Sequence, residues 1–150
     1  MPSTKPRVLL NQRKAKMGIQ SSRRACVAWR PTPQQISDMA EAKALGCSSY
    51  YFGQALVVCG ATKENTLAAF KEKIDLKDYC EALWYSTHEK IMEAHEAHIR
   101  LSVYIDCRLS KVTHEEIMAA RATGCHLNIY ADHRYKKESH ERALELAMPS

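Results

Sequence analysis

Apolar positions along the chain fall into two kinds of stretch. Short β-prone runs, ACVAWR (25–30), CSSYYF, ALVVCG, LSVYIDCRL (101–109) and CHLNIYA, are separated by stretches with helical spacing. Each helical stretch opens on a cap. Thr32-Pro33-Gln34-Gln35 combines a capping box with proline at the first helical position, and predicts a helix from Pro33 to about Leu45. Its expected core face is Ile36, Met39, Ala40, the stem of Lys43 and Ala44, with Gly46 as the left-handed stop. Thr113-His114-Glu115-Glu116 is a second capping box, before a short helix ending at Gly124, and 138–147 predicts an amphipathic terminal helix.

Between these lies 62–101, which opens on Thr62 as a cap and reads as a long and mostly helical insert with a break near 76–78. TPQQI followed by Gly-Cys and THEEI followed by Gly-Cys occupy equivalent places on either side of it. The expected fold is therefore α/β, with α+β as the variant. It is a mixed sheet of about five strands with helices packed on it, two similar strand-helix-strand units flanking the insert, in the order βαββααβαβα. Residues 25–150 form one expected domain.

Charge separates a segment from that domain. Residues 1–24 carry Lys5, Arg7, Arg13, Lys14, Lys16, Arg23 and Arg24 with no acid, whereas 25–150 set 15 basic residues against all 17 acids. A basic arm of this composition does not order itself and pairs naturally with phosphates, releasing counterions. The same composition fits a mitochondrial targeting segment, so the expected compartment is the cytoplasm, with the mitochondrial matrix as alternative. The six cysteines form no CxxC pair and are expected to be reduced and packed. No apolar run approaches the roughly 20 residues of a membrane helix.

Two constellations are candidates for chemistry. On a continuous helix through 76–101, Cys80, Trp84, His88, Ile91, His95 and His98 would share one face. Trp84, His88, Ile91 and His95 are then a partner-binding or homodimer face. His95 and His98 are also the weak candidates for a metal such as zinc, which would need completion by Cys107 or His126. The second constellation rests on the expected strand ends. Arg30, Arg108 and Arg134 would converge there on a phosphate, with His133, Asp132 and Asp106 as weak catalytic candidates. Tyr50, Tyr51 and Tyr135 are candidates for stacking on bases.

No glycine-rich phosphate loop, nucleophile elbow, HExxH or EF-hand pattern is present. The leading expectation is a non-catalytic nucleic-acid or ribonucleoprotein-associated accessory protein using the arm and the arginine cluster. A small protein-binding inhibitor or adaptor acting through the Trp84 face is the first alternative, and a phosphate- or metal-dependent enzyme the second.

Overall fold

The structure, a computed structural model, describes residues 30–149. Every element among them is helical, and none is a strand. The α/β expectation, with its mixed sheet and βαββααβαβα order, is overturned. The run at 25–30 lies, apart from Arg30, outside the described residues.

The helices are α1 (Pro33–Ala44), α2 (Ser49–Gly53, continuing through a wider π-type turn over Gln54–Val58), α3 (Lys63–Lys71), α4 (Leu76–Leu83), α5 (His88–Glu96), α6 (Leu101–Leu109), α7 (His114–Ala122), α8 (Leu127–Tyr135) and α9 (His140–Ala147). They fall into two compact units, one ending at Trp84 and the other beginning at Tyr85.

Both units are made from one helix hairpin. Its first helix always starts on a hydroxyl cap. Thr32, Thr62, Thr87, Thr113 and Ser139 each accept a hydrogen bond from the backbone amide three residues on. From Thr62 onward these caps recur every 25 or 26 residues. Most of the hairpin turns close in the Schellman manner. The amides of Gly46, Lys73, His98 and Gly124 reach back three residues, and those of Cys47, Ile74 and Ile99 reach back five. The left-handed residue of each turn is Gly46, Lys73, His98 or Gly124 (φ between 60° and 97°). Lys111 and Lys137 play the same part at the ends of α6 and α8.

The interior repeats with the caps. Four residues past the cap stand Thr66, Ile91, Ile117 and Ala143, all fully buried; seven past it stand Ala69, Ala94 and Ala120, small enough for close helix approach. Seventeen past it stand Tyr79, Tyr104 and Tyr130, fully buried in every case. The first hairpin is three residues longer in its first helix, and with that offset Ala42, Cys47 and Phe52 take the matching places. Within the first unit α2 packs on α1 and α4, and α3 on α4; within the second α6 packs on α5, α7 and α8, and α9 on α8.

This arrangement explains why sheet was expected. Helices α6 and α8 have neighbours on more than one side, so α6 buries Val103, Tyr104, Ile105 and Cys107 and has no clean polar face. A short helix buried in this way cannot be told from a strand by periodicity. The expected insert over 62–101 is likewise three helices, α3 to α5, separated by turns and ending where α6 begins. In α1 the expected core face is rotated, because Asp38 and Ala42 are its buried residues and Ile36 is 55% exposed. In the offset register the place that is buried in the later hairpins falls to Met39, which is half-buried.

Candidate anion-binding cleft

The residues singled out from the sequence are not brought together. Trp84 ends α4 in one unit, while His88, Ile91 and His95 belong to α5 in the other, so the continuous helical face drawn through them does not exist. Ile91 is fully buried and offers nothing to a partner. His98 lies beyond the end of α5 in a left-handed turn (φ 60°), which removes the helical i, i+3 relation to His95 on which the metal reading rested. Among the described residues no group of three histidine, cysteine or acidic side chains is placed to hold a metal ion.

With no sheet there are no strand ends for Arg30, Arg108 and Arg134 to share. Arg30 is exposed and is the first of the described residues. Arg108 and Arg134 sit at equivalent places in α6 and α8 and brace the fold. The Arg108 guanidinium donates to the carbonyl oxygens of Tyr85 (2.7 and 2.9 Å) and Val112 (3.0 Å). That of Arg134 donates to the Tyr130 hydroxyl (3.0 Å) and pairs with Glu116 (3.2 Å). Asp106, Asp132 and His133 are half-buried along the same two helices, and the His133 Nδ1 has no hydrogen-bond partner. Lys5, Arg7, Arg13, Lys14, Lys16, Arg23 and Arg24 lie outside the described residues. Of the tyrosines proposed for stacking, Tyr50 is 58% exposed and lies edge-on to Tyr51, while Tyr135 is half-buried.

Two further arrangements went unseen in the sequence. In the first, a buried tyrosine of one hairpin meets the histidine opening the next. The Tyr104 hydroxyl lies 2.9 Å from both Ser86 Oγ and His114 Nδ1, and His114 Nε2 is 2.5 Å from a Glu93 carboxylate oxygen. The Tyr130 hydroxyl lies 2.6 Å from His140 Nδ1 in the matching place. Burial raises the pKa of both phenols, that of Tyr130 to about 12, so they remain protonated near neutrality. These pairs satisfy polar groups at a hairpin junction that would otherwise be buried unpaired. The signal was legible: Thr87-His88-Glu89, Thr113-His114-Glu115 and Ser139-His140-Glu141 recur at 26-residue intervals.

The second arrangement is a cleft of about 250 Å³ formed by the turns that join α5 to α6 and α7 to α8. Its basic lining is His98, Arg100, Arg121 and His126, with no carboxylate among the lining residues. Repeat register produces it. Arg100 and His126 hold the same position, the residue before the hairpin's second helix, and neither caps that helix with its side chain. In the first unit Asp75 stands in that place and does cap its helix, accepting from the Lys77 amide at 2.8 Å. Arg121 is half-buried and fixed in orientation, because its Nε donates to the Ala97 carbonyl oxygen at 2.8 Å. This site was missed because its four side chains come from the turns and a helix end of two hairpins 26 residues apart, a register that is visible only once the repeat is recognised.

No family model, curated protein or solved structure matches the chain. No helix among the described residues is long and apolar enough to cross a membrane.

Proposed function

We propose that the chain is a non-catalytic accessory protein that binds nucleic acid or a ribonucleoprotein, on a scaffold of helix hairpins. The observation that supports this most is the repetition itself. The hairpins keep an aromatic ring inside at one position, Phe52, Tyr79, Tyr104 and Tyr130, and an alanine at another, and vary the residues on their turns. Repeat architectures of this kind create extended binding surfaces from equivalent positions. The charge of the arm sets the kind of partner, since seven basic residues without an acid favour a polyanion.

The test is the salt dependence of binding to a single-stranded oligonucleotide, for the full chain and for a full-length variant with the seven basic residues of 1–24 changed to Gln. For single strands the slope of log affinity against log salt is about −0.7 per phosphate neutralised. The variant is expected to bind more weakly and with a shallower slope. Equal affinity and slope in the two proteins would remove the arm from the reading, and failure of the full chain to bind any oligonucleotide would end it.

A further inference from the structure

We infer that the cleft of His98, Arg100, Arg121 and His126 is a binding site for a single phosphate group. It deepens the reading above where that phosphate belongs to a nucleic-acid backbone, and stands apart from it where the phosphate is a free monoester.

Among the described residues of the second unit, part of the positive charge has no acidic partner. From residue 85 onward there are ten Asp and Glu residues and five arginines. Arg134 pairs with Glu116, Arg142 pairs with Glu145 at 3.1 Å, and Arg108 is spent on three hydrogen bonds to backbone carbonyls. Arg100 and Arg121 have no carboxylate partner among the described residues, and they face the same cleft. Two guanidinium groups gathered without a counterion repel one another, and the fold gains nothing from their proximity. A bound anion supplies the missing partner, and a guanidinium fits a phosphate with two parallel N–H donors.

The setting favours a phosphate over a simple halide. His98 and His126 add ring nitrogens that donate to or accept from phosphate oxygens, one from each turn. Val103, Cys125 and Leu127 make the apolar wall, where electrostatic attraction is less screened than on an open surface. Arg121 is already held by its bond to Ala97, so little rotamer freedom is lost when it binds. Size limits the ligand. At about 250 Å³ the cleft lies below the roughly 300 Å³ where pockets for whole small molecules begin, so it takes one charged group and leaves the remainder of the ligand outside.

The experiment is an NMR titration of the histidine ring signals in the full-length protein with inorganic phosphate, at ionic strength held constant with chloride. Saturable shifts of His98 and His126 are expected. Among the described residues the Arg100 side chain makes no hydrogen bond, so Arg100→Gln is expected to keep the fold and to weaken phosphate by about tenfold or more, the loss of one charge-assisted contact. Arg142→Gln, at a residue that does not line the cleft, is expected to titrate as wild type. Shifts that rise without saturation, or an Arg100→Gln protein that binds phosphate as wild type does, overturn the inference. A single-stranded oligonucleotide that displaces phosphate from His98 and His126 assigns the site to the nucleic-acid backbone, and saturable phosphate that no oligonucleotide displaces assigns it to a free monoester. A full chain that binds phosphate here but no oligonucleotide at all refutes the proposed function and leaves the phosphate site standing.

Discussion

Buried side chains at fixed places in the hairpin carry the stability of the second unit, and their protonation links it to pH. Burial raises the Cys107 thiol from its ordinary 9.0 to about 12, with Asp106 adding to the rise, and raises the Tyr130 phenol from 10.0 to about 12. Each group therefore gives up its proton in the unfolded chain at a lower pH than in the folded one. Their contribution to stability is whole below about pH 9 and is lost as the pH climbs through the folded values near 12. The denaturant midpoint of the protein is expected to hold steady from pH 7 to about 9 and then fall. Cys107→Ala is expected to lower the midpoint overall and to make the fall beyond pH 9 shallower. A fall beyond pH 9 that is unchanged by this substitution would show that Cys107 is not one of the groups responsible.

At the scale of the element, the turns are more informative than the helices. The same left-handed position is filled by Gly124 in one hairpin and by His98 or Lys73 in others. A residue with a Cβ costs roughly 1–2 kcal/mol in this conformation. A Cβ on Gly124 would meet nothing within 4 Å, so backbone strain is the main penalty there. Gly124→Ala is expected to destabilise by about 1 kcal/mol, and Lys111→Gly (φ 67°) to stabilise by a similar amount less the entropy glycine adds to the unfolded chain. Denaturant unfolding of the two variants measures both. A Lys111→Gly protein markedly less stable than wild type would contradict the left-handed assignment of that turn.

Legibility in the sequence followed the same division between ends and middles. The caps at Thr32, Thr62 and Thr113 and the stops at Gly46 and Gly124 depend on residues adjacent in the chain, and were readable. So was the terminal helix, in which Ala143 and Ala147 are buried. The stops at Lys73 and His98 were hidden, because lysine and histidine carry no turn signal. Their concealment, with that of the turn after Trp84, merged three helices into one expected insert and produced the histidine face that does not exist. LSVYIDCRL and CHLNIYA were misread for another reason. A nine-residue helix hemmed in on several sides presents β-branched and aromatic residues in an unbroken run, and only its neighbours decide that it is a helix. Of the cleft, the four basic residues were visible singly, but the 26-residue register that gathers them was not.

For the molecule as a whole, the central claim is that one helix hairpin recurs from Thr32 to Ala147 within two compact units, and that its turns rather than its interiors carry recognition. Backbone 13C chemical shifts of the full-length protein test the architecture most directly, because helix and strand move them in opposite senses at every residue. Helical shifts are expected through Leu101–Leu109 and Leu127–Tyr135, with single-residue interruptions of left-handed character at Lys73, His98, Lys111, Gly124 and Lys137. Extended shifts across 101–109 and 127–135 would restore the sheet, dissolve the repeat, and with it the cleft built on its turns.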